Sequence, residues 1–179
     1  QSAHYEQKFK HYENLAQPTI TDVITEIQLY PSENSYKITG KYQLTNQTDK
    51  PIHKILINFH KDLNIEYAVF RTNSESKKID QKVTKVYLNQ PLQTGEKAIL
   101  NFKIAYHWSP VNGHDSFNAI IENGSFMRIS RYYPTFGYQA NNEIEDEEKR
   151  SEFKLGKKAE LKKLEAPEVF KKDFINLDM

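Results

Sequence analysis

Cysteine is absent from this chain. Disulfide staples, thiolate nucleophiles and cysteine-based zinc sites are thereby excluded, while the compartment is left open. Glycine is sparse, at six residues, and no G-x-G-x-x-G or P-loop run follows a candidate strand, so nucleotide binding has no support. No window approaches the ~18 consecutive apolar residues of a membrane span, and the first residues given show no signal-peptide pattern. Charge of either sign is also lacking in excess: 25 Lys and Arg stand against 24 Asp and Glu. A near-neutral chain has no bulk field to recruit nucleic acid or an anionic membrane. No G-x-S-x-G elbow and no H-E-x-x-H helix occurs. The six histidines (His4, His11, His53, His60, His107, His114) are scattered. His53 and His60 fall on opposite faces of a regular strand, so no metal site is expected among them.

What the chain does have is aromatic weight, with 11 Tyr and 10 Phe in 179 residues. Each aromatic buries a large area, which compensates for a mean hydropathy of -0.78. The length suits one domain with a core, alone or with an extension. The chain starts at Gln1 and stops in "DFINLDM", and the expectation is an excised piece of a larger protein.

Tyr5, Phe9, Tyr12 and Leu15 recur at helical spacing and predict an N-terminal helix over 1–18, ended by Pro18 and packing on the following sheet. From residue 19 the period changes to two. "DVITEIQLY" sets Val23, Thr25, Ile27 and Leu29 against Asp22, Glu26 and Gln28. "PSEN" predicts a turn, in which Asn34 tolerates a left-handed backbone. "SYKITGKYQLTN" puts Tyr36, Ile38, Tyr42 and Leu44 on one face, and five polar residues on the other. "IHKILINF", "IEYAVFR", "KVTKVYL" and "KAILNFKIAYHW" extend the series, the last with Ala98, Leu100, Phe102, Ile104, Tyr106 and Trp108 aligned. "SFNAIIENGSFMRISRYYP" reads as a hairpin turning at Asn123-Gly124. Strands about every ten residues, without intervening helices, predict an antiparallel β-sandwich or saddle-shaped sheet over 19–138. Residues 139–179 read as a charged helical extension and a truncated domain end, where "DFINLDM" is expected to start a further strand. Glu143 to Glu148 lack the alternating Asp/Asn pattern of a calcium loop and fit the start of a solvated helix. Asn46-Gln47-Thr48 and Asn123-Gly124-Ser125 match the glycosylation sequon, but each has a sufficient explanation as a turn.

Three long runs, in order, resemble a known region. They are "FKHYENLAQPTITDVITEIQLYPSENSYKITGKYQLTNQTDKPIHKILI", "LNQPLQTGEKAILNFKIAYHW" and "NGSFMRISRYYPTFGYQANNEIEDEEKRSEFKLG", spanning Phe9 to Gly156. The most specific part runs from Arg131-Tyr132-Tyr133-Pro134 through Gly137-Tyr138 to Arg150. The region resembled is the N-terminal β-domain of gluzincin metallopeptidases of the aminopeptidase N type, in the bacterial variant fused to an ABC-transporter permease. The resemblance implies a non-catalytic accessory domain, on the extracytoplasmic face of the inner membrane, beside the catalytic domain of the same chain. It implies no cofactor here, with zinc held only by that separate catalytic domain, and a role in walling the peptide cleft. Tyr132, Tyr138, Gln139, Glu122 and Arg131 are the candidate cleft residues. The family's amine-contacting residue falls on Phe126 when Arg131 is the matching Arg. A phenyl ring accepts no ammonium hydrogen bond; Glu122 and Asn123 are the nearby replacements. "SRYYPTFGY" is otherwise read as a strand end and turn that packs, followed by an acidic helix start. Two rival readings stand beside this one. A free-standing carbohydrate or adhesin module predicts exposed aromatics clustered on one concave face. A plain spacer predicts no binding surface.

Overall fold

The computed structural model describes residues 2–109, 119–126, 132–158 and 175–179. They are mostly β, and they fall into two compact units. One joins residues of Gln1–Ala16 with those of Gly137–Phe174; the other joins Gln17–Phe136 with Ile175–Met179.

The larger unit has two main sheets. β1 (Thr19–Tyr30), β2 (Ser35–Thr45), β4 (Asn64–Arg71), β5 (Ser76–Lys78), β7 (Lys97–His107) and β11 (Asn176–Asp178) form a six-stranded sheet in the order β11-β1-β2-β7-β4-β5. β3 (Ile52–Asn58), β6 (Val83–Leu92) and β10 (Thr135–Phe136) form a second, ordered β10-β3-β6. β8 (Ala119–Ile121) and β9 (Gly124–Phe126) make a separate hairpin. The architecture is that of a β-sandwich, as the alternating segments predict. Among the described residues the pairings are antiparallel except one, for β11 runs parallel to β1.

β2 and β7 pair along their whole length and contribute nine buried apolar side chains to the core. Tyr36, Ile38, Tyr42 and Leu44 are buried from one strand, and Ala98, Leu100, Phe102, Ile104 and Tyr106 from the other. Fully burying each large side chain contributes about 1.5–3 kcal/mol before ordering costs. Gly40 is required here because the Phe102 ring lies across it; a methyl at Gly40 would sit 2.1 Å from Phe102 Cζ.

Three expectations need amendment. β1 keeps its alternation at Val23 and Thr25, but Leu29 is exposed near the strand's end. β3 is buried on both faces, Leu56 and Asn58 included. Its upstream edge is covered by the Gln17 side chain, which donates to Lys54 O at 3.2 Å and accepts from the Leu56 N–H at 2.9 Å. In the β8–β9 hairpin Ile121 pairs with Gly124, so the two-residue loop is Glu122-Asn123, one position earlier than the sequence suggests.

Turn chemistry explains the connections. Asn34 takes the left-handed backbone (φ 50°), donates from its side chain to Ile120 O, and accepts from Trp108 N–H at 2.7 Å. Buried Asn46 donates to Lys50 O and Leu92 O at 2.9 and 2.8 Å, and accepts from Thr48 N–H and Oγ1. An Asx-type turn of this sort uses the whole amide.

In the smaller unit α1 (Ser2–Phe9) runs into a single 3-10 turn, Lys10–Tyr12. Its buried residues are Ala3, Glu6 and Phe9, while Tyr12 and Leu15 are only half-buried. α2 (Glu147–Glu152) begins with Asp146, whose Oδ1 accepts from Lys149 N–H at 2.9 Å. The acidic run thus starts a helix, because carboxylates satisfy free N–H groups there. The Lys-rich stretch 159–174 lies outside the described residues.

Candidate functional site

The five candidate residues do not form one described constellation. Arg131 lies outside the described residues, as does the side chain of Phe126. Glu122 is exposed at the tip of the β8–β9 hairpin.

Tyr132, in the larger unit, is 3% exposed. Its ring centroid lies 4.8 Å from Tyr106, 5.3 Å from His60 and 5.9 Å from Tyr36. Edge and tilted contacts of this kind stabilise aromatic clusters beyond area alone. Burial, then Tyr132's hydrogen bond, then the charge of Asp62 push the Tyr106 phenol upward. Burial lowers the Lys82 ammonium, and Asp62 opposes that shift. The cluster is packed shut by its own rings and supports core architecture.

Tyr138 and Gln139 belong to the smaller unit. Tyr138 stacks on Tyr5 at 5.5 Å, lies 5.4 Å beneath Lys10 Nζ, and donates to Glu143 Oε1 at 2.9 Å. Lys10 Nζ donates to the same oxygen at 2.7 Å. Gln139 N–H donates to the Tyr5 hydroxyl at 3.0 Å, and its side chain donates to Gly137 O at 3.2 Å. The electrostatics follow from this sharing. Burial raises the Glu143 carboxyl, but the bonds from Lys10 and Tyr138 outweigh it and leave the group below the usual carboxylate range. Burial, with the hydrogen bond to Glu143, pushes the Tyr138 phenol well up. Lys10 is held high, chiefly by Glu143. A charged lysine, an ionised carboxylate and a neutral phenol form a satisfied polar knot. Its chemistry is that of a fixed structural junction.

Among the described residues no three His, Asp or Glu side chains converge on a metal-sized site, and no helix is long and apolar enough to cross a membrane.

No family model matches the chain, and no curated protein matches it. Solved structures do. An M1 zinc metallopeptidase from Deinococcus radiodurans is similar at 18% identity and TM-score 0.38, over 52% of this chain and 21% of that one. A two-domain M1 zinc metallopeptidase mutant bound to L-tryptophan is similar at 14% identity and TM-score 0.41, with the same coverage. The chain therefore matches about a fifth of the length of these peptidases.

One surface escapes sequence reasoning built on the aromatic run. The outward face of the six-stranded sheet carries a groove between Ile24 and Tyr67. Its signal in the sequence is small: Ile24 is an apolar residue on the polar side of an alternating strand.

Proposed function

We propose that this chain is a non-catalytic accessory β-domain of a larger, membrane-anchored zinc aminopeptidase-like protein of the permease-fused type. It stands on the extracytoplasmic side and adjoins the catalytic domain of the same polypeptide, where it walls a peptide cleft. Zinc belongs to that catalytic domain. The resemblance of the three sequence runs motivates the reading, and one structural observation carries it.

That observation is the apolar edge at β11. Ile175, Leu177 and Met179 recur at alternate positions through β11 and its two flanking residues and are 49%, 58% and 70% exposed. Leu177 lies beside buried Val23, so the edge continues the core side of the sheet. The register is pinned by Asn176 Nδ2 donating to Asp22 Oδ1 at 2.9 Å. An ordered apolar strip at a sheet edge is an association surface, and natural proteins cover such edges. A neighbouring domain of the same polypeptide fits that cover. The carbohydrate-module reading requires exposed aromatics gathered on one face, whereas Tyr67 and Tyr87 sit on different sheets.

Two measurements test the proposal. Incubated with zinc and an aminoacyl chromogenic amide, the chain should show no turnover; turnover would overturn the non-catalytic assignment. Hydrogen exchange at 175–179 should be slower in the full parent protein than in this chain alone. Equal rates would remove the adjoining domain.

A further inference from the structure

Asn46 and Asn123 both head an N-x-S/T run in the sequence, and the structure treats them in opposite ways. Asn46 is fully buried. Its amide donates to Lys50 O and Leu92 O and accepts from Thr48 N–H and Oγ1, so both ends are occupied. Asn123 is exposed in the two-residue loop of the β8–β9 hairpin, and exposed Gly124 follows it. A Cβ placed on Gly124 would meet no atom within 4 Å. The main chain there is open on the side where other residues carry a side chain.

The hairpin around this dipeptide is weakly built. It pairs Ala119 with Phe126, Ile120 with Ser125 and Ile121 with Gly124, and among the described residues it joins neither main sheet. Isolated two-stranded hairpins are marginal in water. Outside glycine, only Asn34 and Lys154 among the described residues take positive φ. Glu122 and Asn123 therefore form neither a type I′ nor a type II′ turn, the two whose twist matches paired strands. The attachment lies behind the tip, where buried Ile120 accepts through its carbonyl from Asn34 Nδ2. Opening the tip while Ile120 stays anchored costs little, as local openings at loops do.

Before glycine, an asparagine amide meets the next main-chain nitrogen with least hindrance, because glycine adds no Cβ. We propose that Asn123 is a site of spontaneous covalent conversion, with water as the only co-reactant. The Gly124 nitrogen loses its proton and attacks Asn123 Cγ. The new N–C bond closes a cyclic succinimide as the Cγ–Nδ2 bond breaks, and ammonia leaves with a proton from the medium. Water then adds to either ring carbonyl. Opening at the side-chain carbonyl gives aspartate; opening at the main-chain carbonyl gives isoaspartate, in which the chain runs through Cβ and Cγ. Both products set a carboxylate beside Glu122. Isoaspartate also adds a main-chain carbon to a loop whose length fixes the Ile121–Gly124 pairing, so the tip no longer closes in register. The site is independent of the β11 edge and stands or falls apart from the accessory-domain reading.

The whole chain, folded and in urea, is aged at mildly alkaline pH, digested and mapped by mass spectrometry. The same dipeptide occurs at Asn112-Gly113, outside the described residues, so fragment ions must locate each mass gain. In the folded chain the gain of an amide turned acid should appear at Asn123 and not at Asn46. Its rate should rise with pH and lie within roughly tenfold of the rate in urea, the limited protection of a cheaply opened loop. An isoaspartyl methyltransferase should label the aged hairpin peptide. Asn123→Gln should abolish both signals at that position, because the longer side chain closes its ring poorly. A folded rate below that range would overturn the proposal, since the hairpin would then shield its tip. So would aspartate without isoaspartate, which would mean that no succinimide forms.

Discussion

Glu6 and Arg150, 144 residues apart in sequence, meet as a doubly bonded ion pair: Arg150 Nη2 donates to Glu6 Oε1 at 2.6 Å, and Nη1 to Oε2 at 3.0 Å. Both side chains are buried. Arg150 also donates to Ile144 O at 2.7 Å and to Gly156 O at 2.6 and 2.8 Å. The planar guanidinium satisfies this many acceptors at once, which a lysine would not. Removing one partner leaves a buried charge uncompensated. Arg150→Met or Glu6→Gln should therefore cost about 3–5 kcal/mol in urea unfolding of the smaller unit. The joint replacement Glu6→Leu with Arg150→Met should cost less than the sum of its parts. Strict additivity would show the pair to be uncoupled.

Acid should act through Glu143. Its carboxyl is held low against burial by Lys10 and Tyr138. A depressed folded value contributes stability that is fully present above the unfolded value, about 4.3, and lost as pH falls through the folded one. Glu66 and Glu75, held low first by hydrogen bonds from Lys103 and Lys77, titrate in the same sense. Melting temperature should thus fall below about pH 4.3, with a shallower slope in Glu143→Gln. Lys10 works at the other end. Its raised value holds stability at neutral pH and loses it as pH climbs through the folded value, and Glu143→Gln should reduce that alkaline slope to the part that Glu13 supplies. An unchanged pH profile in the variant would contradict the shared-oxygen geometry.

Gly40→Ala should destabilise the larger unit by about 1–3 kcal/mol, because the new methyl meets the buried Phe102 ring. Adding Phe102→Leu should recover part of the loss, read as a shift in denaturant midpoint. No recovery would mean that Phe102 is not the obstacle.

Tyr36 is buried, and among the described residues its hydroxyl makes no hydrogen bond. Burial drives its phenol well above the ordinary range. Tyr36→Phe removes a desolvated polar atom and should be neutral or stabilising in thermal unfolding. Tyr36→Ala, by contrast, should cost about 3–5 kcal/mol through the cavity it opens. A loss of more than about 1 kcal/mol in Tyr36→Phe would reveal a bonded hydroxyl.

The sequence alone placed the long strands of the larger unit. Period-two alternation across Tyr36 to Leu44 and Ala98 to Tyr106 admits one buried face, and a slip of one residue would expose all of it. It also determined the left-handed Asn34 turn and the acidic start of α2, since local backbone bonding decides both. Tertiary structure alone decided the rest. Neither the pairing of Glu6 with Arg150 nor the sharing of Glu143 by Lys10 and Tyr138 has a local signature, because each joins segments more than a hundred residues apart. The groove likewise depends on register: only the pairing of β1, β2, β7 and β4 brings Ile24, Lys41, Lys103 and Tyr67 to one face. Among the cleft candidates, Tyr132 looks in the sequence like Tyr138. Packing against Tyr36, Tyr106 and His60 takes the first into the core, and the bond to Glu143 fixes the second.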